Sequence, residues 1–248
     1  MTDSALHANS PLVSVIIPVY NAAHFLIAAL RSVFAQDYPH YEVIVIDDGS
    51  TDDLLDVVRE FPAIRLLRQH NQGPAVARNL GVANASGSMI AFLDADDMWR
   101  PAKLTAQVNY LLAHPHDGYV ICHLHALTVP GVEISPVFNK LHWQDDPIAS
   151  IPSALLVRRE IMASVGPFDP QLRAAEDFDW FARANDCGIS AGIVDTVLFD
   201  KRLHNNNLSL DVALNHRNMF RALQNSIQRK RKHPQPLSED TCITSAAR

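Results

Sequence analysis

Four near-continuous apolar runs, each followed by a segment of helical periodicity, constrain this chain more than any other feature. Val13-Ser-Val-Ile-Ile-Pro-Val19, Glu42-Val-Ile-Val-Ile46, Ile64-Arg-Leu-Leu67 and Met89-Ile-Ala-Phe-Leu93 read as strands. They show little polar alternation, as expected of strands covered on both faces. Phe25, Leu26, Ala29, Leu30, Val33 and Phe34 recur at helical spacing after the first run, and Leu54, Leu55, Val58 and Phe61 after the second. Residues 74–84 form the third helical segment, with Pro74 in its first turn, where a proline is tolerated. A fourth opens at Pro101 and runs through Leu111. Strand and helix alternating in this way predict an α/β fold with a parallel sheet and right-handed crossovers.

The second half is less regular. Tyr119–Leu127 reads as a strand, residues 128–151 as loops rich in Pro, Asp and His, and residues 153–164 as a helix. A Gly166-Pro-Phe-Asp-Pro170 turn, a helix from Glu176 to Asn185, and one or two strands over Ile189–Phe199 follow. From Leu208 the chain reads as a helical tail ending in Arg229-Lys-Arg-Lys232. The halves meet near 115–118 without a linker, which predicts two lobes of one domain. With 48% apolar and 19% charged residues, wholesale disorder is excluded.

Three cysteines (Cys122, Cys187, Cys242) are far apart and form no CxxC, so they read as reduced thiols of a cytosolic protein. Residues 1–11 read as a flexible leader without the basic-then-apolar order of a signal peptide. No apolar stretch reaches the ~20 residues of a membrane span.

The net charge of -6 gives no support to nucleic-acid binding. The charge is uneven. Residues 1–211 hold 14 Lys and Arg against 25 Asp and Glu, whereas residues 212–248 hold 7 against 2. This basic tail reads either as a solvated chain end or as a peripheral contact with anionic lipid headgroups.

In open parallel α/β sheets, ligands bind beyond the carboxyl ends of the strands. There the first strand offers Pro18, Tyr20 and Asn21. The second offers Asp47, Asp48, Ser50 and Asp52, and the fourth Asp94, Asp96 and Asp97. Carboxylates gathered on one rim repel one another increasingly as water is excluded. Oxygen ligands of this kind suit Mg2+ or Mn2+ together with substrate phosphates, which points to a metal–diphosphate ligand. Asp52 and Asp53 read equally well as helix caps. His123 and His125 read as a polar strand face, and Trp180 as a packing residue. Trp143 falls in the variable region expected to face an acceptor. No GxGxxG follows the first strand and no GxxxxGK[ST] occurs anywhere, so the common dinucleotide and P-loop signatures are absent.

Six motifs in order carry a family resemblance: Val13-Ser-Val-Ile-Ile-Pro-Val-Tyr-Asn21, Asp47-Asp-Gly-Ser-Thr-Asp52, Asn71-Gln-Gly-Pro-Ala-Val-Ala-Arg-Asn79, Phe92-Leu-Asp-Ala-Asp-Asp97 continuing through Met-Trp-Arg-Pro-Ala-Lys-Leu104, Gly166-Pro-Phe-Asp169 with Ala175-Glu-Asp-Phe-Asp-Trp180, and Arg202-Leu-His-Asn-Asn-Asn-Leu-Ser209. Together they resemble family-two glycosyltransferases of the GT-A fold. The resemblance implies a mostly parallel Rossmann-like sheet flanked by helices, with residues 12–210 as one domain. Within it, 12–116 would be a nucleotide-binding half and 117–210 an acceptor half, followed by a basic helical tail over 211–248.

It further implies inverting transfer from a nucleotide-diphosphate sugar, UDP- or dTDP-linked, to an acceptor hydroxyl, assisted by Mn2+ or Mg2+. By motif match, Pro18, Tyr20 and Asn21 would line the nucleotide pocket, Asp48 would accept from the base, and Arg78 would help hold the nucleotide. Arg78 also reads as a structural partner for a carboxylate. Asp94-Ala95-Asp96 matches the DxD motif, with Asp96 as metal ligand and Asp94 facing ribose or metal. Asp177 would be the base, ionised at neutral pH, and His204 would complete the metal or diphosphate site. Lys201 stands where the closing motif often has Tyr. A nucleotidyltransferase would present a glycine- and basic-rich loop that Val19–Ala29 lacks. A catalytically silent sugar-nucleotide module is the other alternative.

Overall fold

The computed structural model describes residues 10–129, 131–132, 145–205, 207 and 212–232, with the side chains of Val212, Ala213 and Lys232 left aside. Trp143, Cys242, residues 1–9 and Leu208 at the start of the expected tail lie outside the described residues.

Strands β1 (Val13–Val19), β2 (Tyr41–Asp47), β3 (Ile64–Arg68) and β4 (Met89–Phe92) alternate with helices α1 (Ala23–Phe34), α2 (Leu54–Arg59) and α3 (Pro74–Asn84). They form the parallel half, in the spatial order β3-β2-β1-β4. The continuous apolar runs have the expected cause. Val15, Ile16, Ile17, Ile44, Val45, Ile46, Ile90 and Phe92 are fully buried, with helices on both faces of the strands. Where α3 crosses β1 the packing is close. A Cβ at Gly81 would lie 2.4 Å from Ile16 Cγ2.

The other half is mixed. Beyond β4 come β7 (Leu156–Arg158), β6 (Tyr119–Thr128), β8 (Ala191–Leu203) and β5 (Met98–Trp99). β7 is antiparallel to both of its neighbours, β6 and β8 are parallel, and β5 closes the far edge antiparallel to β8. Only residues 93–97 separate β4 from β5, yet four strand spacings, about 19 Å if flat, lie between them. Those residues form a turn, with the Asp97 N–H donating to Asp94 O at 2.9 Å, so the sheet must curl.

Two expectations change. The segment read as a helix over 153–164 is a 3-10 turn (Pro152–Ala154), the short strand β7 and helix α5 (Arg159–Val165). Leu156 and Val157 fill the gap between β4 and β6 and are fully buried, so tertiary pairing overrides local propensity. The strand expected to stop at Phe199 runs on to Leu203. Helix α4 (Lys103–Ala113) begins two residues after Pro101, and α6 (Glu176–Asp186) and α7 (Val212–Lys232) follow in the second half.

β8 advances unevenly along β6. Cys122 faces Val194, His123 faces Val197 and Leu124 faces Phe199, so β8 bulges over this stretch before regular pairing resumes to Thr128–Leu203. His123 and His125 prove to be tethers. His123 meets Asp195 at 3.1 Å and the Asp146 carbonyl at 2.6 Å, and His125 meets the Asp146 carboxylate at 2.8 Å. Trp180 is fully buried, as expected of a packing residue. No helix among the described residues is long and apolar enough to cross a membrane.

Gly81→Ala should destabilise the chain by about 1–3 kcal/mol, because the added methyl meets a packed, β-branched neighbour. Thermal denaturation followed by circular dichroism should show a melting temperature several degrees lower, with the native spectrum retained.

Candidate functional site

β1, β2, β4 and β8 all point their carboxyl ends to one rim, which frames a cavity of about 720 Å³. The ten residues given roles by motif match line it: Pro18, Tyr20, Asn21, Asp48, Arg78, Asp94, Ala95, Asp96, Asp177 and His204, whereas Asp47, Ser50, Asp52 and Asp97, offered by the same strand ends, do not.

At the end of β1, Asn21 adopts a left-handed φ of 49° and ties two strand ends together. Its N–H donates to Ser50 Oγ at 3.0 Å, and its Oδ1 accepts from the Thr51 N–H at 2.8 Å. Tyr20 is half exposed, its ring available at the cavity edge. Asp48, at the end of β2, holds the loop before α3. Its carboxylate accepts from Gln69 Nε2 (2.7 Å), the Gln72 N–H (2.9 Å) and the Gly73 N–H (2.8 Å). A carboxylate has about four acceptor positions, so one remains for a further N–H. Asp47 turns inward to the Ser50 N–H and Arg68. Asp52 does cap a helix, but α1 rather than α2. Its Oδ2 accepts from the Ala23 N–H at 2.8 Å, while Asp53 makes no capping bond.

The Asp94–Asp97 turn is pinned from below by Ser153, whose Oγ accepts from the Asp94 N–H and donates to Asp97 Oδ2 at 2.7 Å. Carboxylate oxygens of Asp94, Asp96 and Asp97 lie within 4.8 Å of one another. Each already has a protein partner. Arg78 Nη2 meets Asp94 at 2.6 Å, and its Nη1 donates to Glu176. Arg78 is thus the structural carboxylate partner considered from the sequence, and its buried Nε has no partner among the described residues. Asp96 Oδ2 receives His204 Nε2 at 2.9 Å and Asn207 Nδ2 at 3.1 Å. His204 stacks on Phe25 at 4.5 Å, while Arg202 binds the Asp96 and Phe25 carbonyls. Asp97 is fully buried and meets Lys201 Nζ at 3.6 Å and the Arg202 N–H at 3.2 Å.

These contacts set the ionisation of the rim. Burial raises Asp96, but the His204 hydrogen bond and Lys201 more than offset it and hold the carboxyl below its usual range. Burial pushes Asp97 up to about 7, against the pull of Lys201. Burial lowers Lys201, yet Asp97, Asp96 and Asp94 hold its ammonium above the ordinary value. The sequence marked Lys201 only as a departure from the usual Tyr. Its role as counter-charge, like those of Asn207 and Ser153, depends on contacts across more than 50 residues of chain.

Asp177 sits in the first turn of α6, after Ala175 in the left-handed region (φ 57°). Its Oδ1 accepts from the Phe178 N–H at 2.7 Å. Burial, and then the neighbouring Glu176 carboxylate, push Asp177 up to about 7 although Arg78 opposes them. This departs from the expectation of a carboxylate fully ionised at neutral pH. Arg173, which the sequence did not single out, brings an exposed guanidinium to the same cavity.

The comparisons with known proteins agree with this geometry. The family described as Glycosyl transferase family 2 matches residues 14–136. TuaG of Bacillus subtilis strain 168, which bears the name "Putative teichuronic acid biosynthesis glycosyltransferase", is 30% identical over 210 residues, covering 80% of this chain and 82% of that protein. The chain belongs to the family 2 glycosyltransferases. An uncharacterized glycosyltransferase of Rickettsia conorii is 37% identical over 138 residues, which is 54% of this chain and 22% of that protein. The chain therefore spans only about a fifth of the length of that relative. Among solved structures, S. aureus TarS 1-349 in complex with UDP-GlcNAc superposes with a TM-score of 0.70 at 21% identity, over 88% of this chain and 66% of that one. The mannosyltransferase PcManGT from Pyrobaculum calidifontis, in complex with GDP-Man and Mn2+, gives 0.67 at 23% identity, over 90% and 66%. These two share the GT-A fold with this family member.

Removing one partner from a buried ionic network leaves uncompensated charge, at a cost of about 3–5 kcal/mol. Arg78→Met should lose stability of that order at pH 7.5 in urea unfolding.

Proposed function

We propose that this chain transfers a sugar with inversion from a nucleotide-diphosphate donor, UDP- or dTDP-linked, to an acceptor hydroxyl by metal-assisted single displacement. The observation that carries this reading is the convergence of the ten motif residues on one cavity. The UDP-GlcNAc and Mn2+ complexes of the two structural relatives support its donor class and its metal. Residues 12–116 then form the nucleotide half and 117–210 the acceptor half.

The donor set suits the ion. Asp94 and Asp96 offer hard oxygen ligands and His204 an imidazole, a combination compatible with Mn2+ or Mg2+. A divalent cation held there would supply Lewis-acid stabilisation to the departing diphosphate. Asp97, fully buried and fully engaged, keeps the turn in shape.

The chain's own groups do the rest. Tyr20 offers a stacking face to a base, and the open acceptor position on Asp48 takes a ring N–H. Arg78 fixes Asp94 against Glu176. Asp177 accepts the proton of the acceptor hydroxyl as that oxygen attacks the sugar carbon opposite the diphosphate. The sugar carbon carries oxocarbenium-like charge as its bond to the donor oxygen breaks, and one base suffices for a single displacement. A base titrating near 7 balances its ionised fraction against proton affinity.

Asp177→Asn should bind UDP unchanged in calorimetry while transfer falls by about 10²–10⁴-fold, the usual contribution of a positioned base. Normal transfer by this variant would refute the base assignment, whereas no transfer by wild type would favour a catalytically silent pocket. In wild type, kcat/KM should rise with pH to a plateau, with its half-point near 7 and about a tenfold fall per unit below it, since Asp177 works only when deprotonated. Asp96→Ala should abolish the Mn2+-dependent part of UDP binding.

A further inference from the structure

Helix α7 is amphipathic in the reverse of the usual sense. Its inward face is small and polar. Asn218, Ala222 and Ser226, spaced four apart, are buried against the body, where Asn218 donates to the Ala174 carbonyl at 3.0 Å and Ser226 to Asp186 at 2.8 Å. Arg229 adds an ion pair to Asp186 at 2.9 Å. The large apolar side chains point the other way. Phe220, Leu223 and Ile227 recur at i, i+3 and i+7, and are 63%, 47% and 52% exposed. Arg217 and Arg231 are exposed on the same side, and neither is ion-paired among the described residues. No acid occurs between Val212 and Ser238.

An exposed apolar stripe set among cations, on a helix that carries no acid of its own, complements a surface that is anionic outside and apolar beneath. We propose that the outward face of α7 docks on an anionic lipid bilayer, with Phe220, Leu223 and Ile227 entering the interface and Arg217 and Arg231 meeting headgroups. The charge of the whole molecule orients this contact. The rest of the chain, with its excess of acids, is repelled by the same surface, so only the helical end faces it. Each basic residue near such a surface strengthens binding by about fivefold, and the effect is screened by salt.

The position of the helix gives the contact a purpose, and this part rests on the proposed transfer reaction. Leu214 and Asn215, in the first turn of α7, line the cavity that holds Asp96 and Asp177. A helix lying on a bilayer by its middle and far end therefore presents the mouth of the cavity close to the lipid surface, where an acceptor hydroxyl on a membrane-anchored molecule would be met.

The test is co-sedimentation of the full chain with vesicles of phosphatidylcholine alone or with phosphatidylglycerol at about three to seven. Wild type should sediment with the anionic vesicles, not with the neutral ones, and should be released by high salt. The triple variant Phe220→Ser, Leu223→Ser, Ile227→Ser alters only exposed side chains and should keep its melting temperature. Its vesicle affinity should fall by at least tenfold, since each apolar side chain entering the interface contributes on that scale. Arg217→Gln with Arg231→Gln should weaken binding to anionic vesicles alone. Unchanged binding by the triple variant, or no binding by wild type, would overturn the proposal. A dimer in wild type that the triple variant converts to monomer would also overturn it, by giving the stripe to a second copy. UDP binding by the triple variant and vesicle binding by Asp177→Asn separate this contact from the reaction: each should be unimpaired.

Discussion

Charge neutralisation at one rim of the sheet is the constraint on which the rest of this structure depends. Five acidic side chains from two segments meet there: Asp94, Asp96 and Asp97 after β4, and Glu176 and Asp177 opening α6. Such a group is unstable in a dry environment unless cations or donors meet it. The chain brings its own. Arg78 comes from α3, Lys201 from the end of β8, and His204 and Asn207 from just beyond it. The expectation from sequence alone was that such a cluster persists because a metal neutralises it. Arg78 and Lys201 set two positive charges against these five carboxylates, so side chains balance part of the charge.

The parallel half of the fold was legible because burial on both faces leaves an unmistakable imprint: runs such as Val15-Ile-Ile17 and Val43-Ile-Val-Ile46 have no solvent side to reveal. The mixed half was not. β7 has three residues and β5 two, too short for any periodicity, and both exist only because longer strands flank them. β8 was cut short at Phe199 since Asp200, Lys201 and Arg202 break its apolar pattern. Those charged residues belong to the strand because Asp200 pairs with Arg100 and Lys201 with Asp97, partnerships formed across about 100 residues.

The same division holds at the cavity. Ten of the residues that line it were readable, since strand ends and motifs announce themselves locally, while Arg173 was not. The job each one does was less so. Asp48 spends three of its acceptor positions on the loop before α3, and Arg78 spends both terminal nitrogens on carboxylates. Asp177 carries a proton affinity set first by burial, which a string of letters does not show, and then by Glu176, its neighbour in the chain.

The bulge in β8 has a consequence for how this chain tolerates change. Successive side chains of a strand alternate between faces, so the phase of Lys201 and the position of His204 are counted from the point where regular pairing with β6 resumes. A single residue gained or lost between Phe199 and Lys201 would turn the ammonium away from Asp97 and invert the facing of the strand residues after it. Connecting loops are under no such arithmetic. Diversification within this architecture is therefore channelled into loop length, while the ruler that delivers the last cation to the rim has to keep its tally.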